Sequence, residues 1–250
     1  MANYKKKGHK KKKTGATEAQ STTAEVFKTL DKSASRTEAW VAKNQKYIFG
    51  IIGVAAVVVL GYLAYREFIQ KPREIEASNE MFFAQQYFDE AVNSTDKDSL
   101  FYLALNGAEG KYGLLDIISK YKGTKAANLA QYSAGMAYLN TSSYQEAIVH
   151  LQEFSSNDIM LGALAKGGIG DAFMQLNQPE DALAYYEKAF EYRTNDYLTP
   201  RFLLKAGITA MELKQYDKAL SYFKRIKEEF PDSEEGRTVD VHIGYVENLK

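Results

Sequence analysis

The sequence predicts an all-α protein in which a single N-terminal transmembrane helix is followed by an α-solenoid of helical hairpins. Three observations support this fold class. One apolar run, Tyr47–Tyr65, is long enough to span a bilayer. The chain after this run has helical periodicity and no alternating strand pattern. Small residues also recur there at intervals of 35 and 37 residues, which indicates an internal repeat.

The composition excludes several kinds of functional site. The chain has 250 residues and no cysteine, so it holds no disulfide, zinc–cysteine site, iron–sulfur cluster or thiol nucleophile. Its three histidines, His9, His150 and His242, have no ligand-like spacing, and we expect neither a metal nor a cofactor. Acidic residues occur in runs typical of solvated helix faces, without a catalytic arrangement. We therefore expect a protein that is not an enzyme.

The N-terminal segment 1–40 is predicted to be a disordered cytoplasmic tail, because its polybasic run has no apolar periodicity. Residues 14–40 leave room for a short helix around residues 23–33. The run binds by charge, so two targets stay open: anionic lipid at the membrane surface, and ribosomal RNA phosphates. The lysines concerned are Lys5, Lys6, Lys7, Lys10, Lys11, Lys12 and Lys13.

Residues 47–66 are predicted to form the transmembrane helix. The run from Tyr47 to Tyr65 contains no ionisable side chain other than tyrosines. At about 1.5 Å per residue it covers about 28 Å, which is close to the hydrocarbon thickness of a bilayer. Tyr47 and Tyr65 lie at its ends, where aromatic rings settle at the level of the headgroups. We expect an uncleaved anchor, because the preceding segment is too long for a signal peptide.

The charge distribution predicts the orientation of this anchor. The formal net charge of the chain is zero, but residues 1–47 hold 12 basic and 4 acidic side chains, a net charge of +8. Residues 48–250 carry the balancing −8. Because basic residues stay on the cytoplasmic side of a membrane helix, the N-terminus is expected in the cytoplasm and the large C-terminal part outside it.

Two helical segments are expected after the span, in residues 74–125. Residues 75–91 have the pattern of an amphipathic helix that leaves the membrane. Residues 100–107 and 112–121 resemble a degenerate helical hairpin.

Residues 126–232 are predicted to form three hairpin repeats. Each repeat has a glycine, an alanine twelve residues later and a large apolar residue four residues after that. Small residues let two helices approach closely, and the large side chain fills the space between them. Residues 233–250 are predicted to form a capping helix over the last repeat. The repeated triplets are Gly135, Ala147 and Leu151, then Gly170, Ala182 and Tyr186, then Gly207, Ala219 and Phe223.

This spacing resembles the tetratricopeptide repeat. The whole chain, through segments such as Ala104–Gly107, Gly123–Ala130 and Gly170–Asp171, also resembles membrane-anchored tetratricopeptide proteins of the YfgM type, in particular Bacteroidetes-like members. That resemblance implies a bacterial inner-membrane protein with a periplasmic domain. It also implies an ancillary subunit of the SecYEG export channel that works beside a membrane-anchored, prolyl-isomerase-like chaperone.

A hairpin array presents the first helix of each repeat to a partner. On that helix, the positions expected to face a partner groove divide into two groups. Leu129, Leu164, Leu204 and Ile208 are interpreted as core residues between helices. The polar or flexible residues are the candidate partner-binding groove: Tyr132, Met136, Asn140, Asp171, Met174 and Gln175.

The sequence favours a periplasmic interaction scaffold that docks the export channel or its chaperone and receives emerging secreted chains. A second hypothesis is an envelope-organising adaptor for cell division or wall synthesis. A third is an enzyme with a cryptic site, for which Asp171 is the groove carboxylate to test.

Overall fold

The computed structural model describes residues 22–249, and all secondary structure within this range is helical. The predicted all-α class is therefore confirmed. The predicted basic-tail residues lie outside the described part of the chain: Lys5, Lys6, Lys7, Lys10, Lys11, Lys12 and Lys13.

The chain divides into two compact units, residues 1–64 and 65–250. Helix α1, Thr22–Tyr65, forms the described part of the first unit. It therefore includes residues 22–40, which were predicted to be disordered, and extends far beyond the short helix expected at 23–33. The reason lies in the local sequence: residues 22–49 contain neither glycine nor proline, so nothing interrupts a helix that the apolar run already favours.

Within residues 22–249, one helical stretch is long and apolar enough to cross a membrane, by length and composition. Its apolar part has no side chains buried inside the protein. Tyr47 and Tyr65 are exposed. This helix fits the predicted single transmembrane segment.

The second unit begins with a π-helical turn, Arg66–Gln70, which is followed by α2, Lys71–Asn93. Pro72 directly follows the π-helical turn, and its ring nitrogen has no N–H to donate to that turn. Helices α3, Lys97–Asn106, and α4, Leu114–Lys120, follow. These helices share a buried cluster with the next helix, which includes Ala77, Ala84, Phe101, Leu114, Ile117 and Ala130.

Six helices follow in consecutively packed pairs, and a seventh packs against the last of them. The pairs lie in the region predicted to hold the three repeats. Their bounds are α5, Lys125–Asn140, with α6, Tyr144–Glu153; α7, Ile159–Gln175, with α8, Pro179–Glu191; α9, Leu198–Glu212, with α10, Tyr216–Glu229; and then α11, Glu234–Glu247.

The repeated glycines explain how closely the paired helices approach. A Cβ atom at Gly135 would lie 2.5 Å from Leu151, one at Gly170 would lie 2.6 Å from Tyr186, and one at Gly207 would lie 2.3 Å from Phe223. These are the three large side chains that the spacing predicts to fill the gap. The predicted reason for the small residues is therefore confirmed.

The turns within the pairs repeat as well. Ser142, Asn177 and Lys214 each lie seven residues after the repeated glycine and have φ values of 63°, 57° and 59°. In each turn, the next backbone N–H donates to a carbonyl five residues earlier, at 2.8–2.9 Å. One left-handed residue thus closes every hairpin in the same way.

Candidate protein-binding face

The first helices of the pairs lie side by side. Helix α5 packs against α7, α7 against α9, and α9 against α11. Helix α11 has the register of a further first helix, because Gly244 follows Gly207 by 37 residues. We call the surface formed by α5, α7, α9 and α11 the first-helix face.

The residue directly after each of Gly135, Gly170, Gly207 and Gly244 differs in burial and contacts from one first helix to the next. Met136 is half-buried, and its sulfur lies 3.4 Å from the position that a Cβ at Gly168 would take. Asp171 is joined to Lys205 of α9. Ile208 and Tyr245 are 44% and 57% exposed. The first two therefore hold neighbouring helices together, whereas the last two are open to a partner.

Asp171 joins three helices. Its Oδ1 accepts hydrogen bonds from the Tyr186 hydroxyl of α8, at 2.7 Å, and from Lys205 Nζ of α9, at 2.5 Å. Burial raises the pKa of Tyr186 far above its usual value, and the Asp171 charge raises it further. Tyr186 therefore remains a hydrogen-bond donor. These two hydrogen bonds to Oδ1 indicate a structural role for Asp171.

Tyr132, Met136 and Met174 are half-buried among the helices. The Tyr132 ring packs against Phe154 with ring centroids 5.2 Å apart, and burial raises the Tyr132 pKa. The Thr209 hydroxyl of α9 lies 3.7 Å from the Met174 sulfur, within the range of a weak hydrogen bond. These three predicted groove residues thus contribute mainly to packing between helices.

Asn140 and Gln175 are exposed at the C-terminal ends of α5 and α7. The Asn140 Nδ2 donates to the Met136 carbonyl at 2.8 Å, and the Gln175 Oε1 accepts from the Tyr144 hydroxyl at 3.4 Å. Of the six predicted groove residues, these two have side chains that a partner reaches without moving the repeats.

Two residues interpreted as core are instead on the surface. Leu129 is 38% exposed, and Ile208 is exposed as noted above. The core interpretation fits Leu164 and Leu204 better, because both are half-buried against the main cluster. Leu129 and Ile208 differ because the next helix does not cover their positions on α5 and α9.

Sequence reasoning missed several exposed apolar residues, among them Phe82 of α2, and Val241 and Tyr245 of α11. Phe82, Met81 and Leu129 line a cavity of about 510 Å³ between α2 and α5. Val241 and Tyr245 were missed because residues 233–250 were treated only as a cap. The glycine at position 244 was the available signal that α11 continues the repeat.

Nothing in this face points to metal chemistry: among residues 22–249, no group of three or more histidine, aspartate or glutamate side chains is placed to hold a metal ion. Its accessible groups include the aliphatic, aromatic and amide side chains of Ile208, Val241, Tyr245, Asn140 and Gln175. Such a surface suits apolar side chains and backbone amides of another polypeptide.

Comparison with known families identifies a tetratricopeptide repeat at residues 168–234. The match runs from Gly168 in α7, through α8, α9 and α10, into the start of α11. No curated protein matches the chain. A tetratricopeptide repeat domain is therefore present, and such domains are protein-interaction scaffolds that typically lack enzyme activity. Membership of the YfgM-type family stays a prediction.

Proposed function

We propose that this chain is a membrane-anchored interaction scaffold and an accessory subunit of the SecYEG export channel. In this role it docks a membrane-anchored periplasmic chaperone or receives emerging secreted chains. One observation carries the proposal: the described residues 22–249 include one candidate membrane span and expose Ile208, Val241 and Tyr245 on the last helices of a repeat array. Exposed apolar side chains on such an array favour binding to other polypeptides.

The proposed location is the bacterial inner membrane, with the N-terminus in the cytoplasm and the repeats in the periplasm. The +8 charge before the span and the −8 charge after it support this orientation. The basic tail would remain in the cytoplasm, where it meets anionic lipid or the ribosome by charge alone.

The proposed domain organisation follows the sequence prediction with one change. The tail is shortened to the residues before α1, while 47–66 remains the span and 74–125 the exit region. The three repeats occupy 126–232, so α5 and α6 form a repeat N-terminal to the matched region. Helix α11, in 233–250, then both caps the array and adds a fourth first helix.

Only two of the six predicted groove residues belong to the proposed binding surface. Asn140 and Gln175 contact the partner through their exposed amides, together with the exposed apolar residues of α9 and α11. The other four predicted groove residues lie beneath the first-helix face and hold neighbouring helices in position: Tyr132, Met136, Asp171 and Met174.

Co-purification tests this proposal. The full chain is extracted in mild detergent, crosslinked and analysed by mass spectrometry, beside an Ile208→Lys variant and a Val149→Lys control. Ile208 and Val149 are both exposed, but Val149 lies on a second helix, α6. We expect SecYEG or chaperone subunits with the wild type and with V149K, and their loss with I208K.

The same experiment separates the alternatives. Recovery of division or wall-synthesis proteins, together with mid-cell localisation, would replace the export role with that of an envelope-organising adaptor. Equal recovery with I208K and the wild type would show that the first-helix face is not the binding surface.

A further inference from the structure

The start of α2 and the segment between α4 and α5 form one basic surface on the second unit, beside the end of the candidate span. The Arg73 Nη2 donates a hydrogen bond to the Lys120 carbonyl at 2.8 Å. The Glu74 carboxylate accepts hydrogen bonds from the backbone N–H groups of Lys125 and Ala126 at 2.8 and 3.0 Å. These contacts join two segments that hold six exposed basic side chains, which we call the exit surface: Arg66, Lys71, Arg73, Lys120, Lys122 and Lys125.

The exit surface differs in charge from the rest of the second unit. Residues 66–76 and 120–125 hold six basic and three acidic side chains, a net charge of +3, whereas the other residues of 48–250 carry −11. Among the described residues, Lys71 alone of the six makes an ion pair, with Glu67 at 2.6 Å. Glu74 is occupied by the start of α5, and Glu76 accepts a hydrogen bond from the Tyr121 hydroxyl at 3.0 Å. Most of the positive charge therefore remains available to an anion.

The exit surface begins close to the predicted end of the span. Tyr65, where the apolar run ends, belongs to the same compact unit as α2. A helical path places Lys71 within about 9 Å of Tyr65. The headgroup layer is about 5–8 Å thick on each side of the hydrocarbon core, and long basic side chains extend towards it. The covalent chain thus brings the start of α2 to the headgroups in every anchored molecule.

Exposed apolar side chains accompany these cations. Phe68, Ile69 and Ile75 are 79%, 55% and 63% exposed, although all three are large and apolar. Such residues beside lysine and arginine are typical of segments that lie in the membrane interface.

The far part of α2 has the opposite charge. From Glu80 onward its ionisable residues other than Tyr87 are acidic: Glu80, Asp89 and Glu90. An anionic membrane therefore attracts the start of α2 and repels its far end.

We propose that the exit surface binds the anionic headgroups of phospholipids, with Phe68 and Ile69 in the interfacial layer. The bilayer is the occupant because the anchor holds it beside this surface and because its charge is opposite to that of the six side chains. Binding keeps this end of the second unit at the membrane and leaves the first-helix face free for protein partners. Lipid binding here requires the proposed membrane anchor, but it is independent of the export role and of the anchor's orientation.

Quenching by a headgroup-labelled lipid tests this contact in the full chain. Because the wild-type chain has no cysteine, one fluorophore is attached at Ser119→Cys, beside the exit surface, or at Ser221→Cys on α10 as the control. The two positions are matched, since both serines are exposed and each donates to a carbonyl three residues earlier. The chains are reconstituted in nanodiscs of phosphatidylcholine, alone or mixed equally with phosphatidylglycerol, with a nitroxide on a small share of the headgroups.

The proposal predicts a specific dependence on lipid charge and salt. Quenching at position 119 should be about threefold stronger with phosphatidylglycerol than without it, whereas quenching at position 221 should be the same in both lipids. About 1 M salt should remove the difference, because it shortens the screening length to about 3 Å.

Charge substitutions connect the quenching to named side chains. Lys122→Gln with Lys125→Gln, added to S119C, should lower quenching to the phosphatidylcholine level. Lys214→Gln with Lys224→Gln removes the same charge from other exposed positions and should leave quenching unchanged. Circular dichroism checks the fold, and co-elution with the nanodiscs checks the anchor.

Two results would overturn lipid binding and leave the export role standing: equal quenching at position 119 in both lipids, or equal effects of the two pairs of substitutions. A chain that does not co-elute with the nanodiscs would overturn the proposed anchor and lipid binding together.

Discussion

Single residues in this protein act mainly between helices rather than at a chemical centre. Asp171 is the clearest case, because it accepts hydrogen bonds from α8 and α9 while it belongs to α7. His150 is another, since its ring stacks on Tyr138 at 5.3 Å and its Nδ1 lies 2.6 Å from Gln131 Oε1. Replacing either residue should therefore change stability before it changes binding.

Asp171→Asn should lower the free energy of unfolding by about 1 kcal/mol, because the ion pair with Lys205 is lost and that site is about one-third exposed. Urea unfolding monitored by circular dichroism measures this change. Asp232→Asn, at an exposed position between α10 and α11, is the control and should have no effect. A stable D171N protein that binds partners normally but has lost its function would instead support the cryptic-enzyme hypothesis.

His150 should make stability depend on pH. Burial lowers its pKa below the ordinary 6.5, an effect that Glu146 and Glu153 oppose. The unfolded chain then takes up this proton at a higher pH than the folded chain, so the stabilising contribution is complete above pH 6.5 and is lost below it.

Thermal unfolding between about pH 7 and about pH 5.5 tests this expectation. The decrease in stability should be smaller in His150→Gln than in the wild type. It should persist in His242→Gln, which removes the imidazole that stacks on Phe223 instead. The same pH dependence in H150Q and the wild type would contradict it.

At the scale of elements, the glycine register determines how the hairpins close. Gly135, Gly170 and Gly207 each accept a large side chain from the next helix, while nothing lies within 4 Å of a Cβ at Gly244. Gly244 thus occupies the same repeat position as the other three glycines, but no side chain among the described residues packs against it. This difference gives a matched pair of substitutions within one protein.

Gly207→Ala should destabilise the protein by about 1–3 kcal/mol, because Phe223 is fully buried and cannot move away from the added methyl group. Gly244→Ala should instead raise stability by up to about 1 kcal/mol, since alanine favours the helix and the methyl group meets no atom. Denaturant unfolding of both variants measures the difference. Equal effects would mean that the two glycines do not differ in packing.

The sequence predicted the helices and their repeat more accurately than it predicted which side chains are exposed. Gly135, Gly170 and Gly207 revealed the repeat because their spacing is a direct consequence of helix packing. Leu129 and Ile208 were interpreted as core residues. An apolar residue on a first helix can be buried or exposed, and the sequence alone does not show which side of that helix the next helix covers. The full length of α1 was missed because apolar periodicity was recognised only around residues 23–33, although neither glycine nor proline interrupts a helix from there to the apolar run.

At the scale of the whole molecule, the net charge is zero because residues 1–47 carry +8 and residues 48–250 carry −8. This division predicts that the two ends lie on opposite sides of a membrane. Single cysteines test it, at Ser33 before the span and at Ser155 in the repeats; both side chains are exposed. A membrane-impermeant maleimide added to intact cells stripped of the outer membrane should label S155C and spare S33C. The reverse pattern would invert the proposed orientation.

The central claim is that the first-helix face binds another protein. Photo-crosslinking in intact cells tests it most directly, with a benzophenone amino acid at Ile208 of α9 or, as the control, at Val149 of α6. We expect adducts with SecYEG or chaperone subunits from position 208 and none from position 149. Adducts of equal yield from both positions, or adducts from position 149 alone, would contradict it.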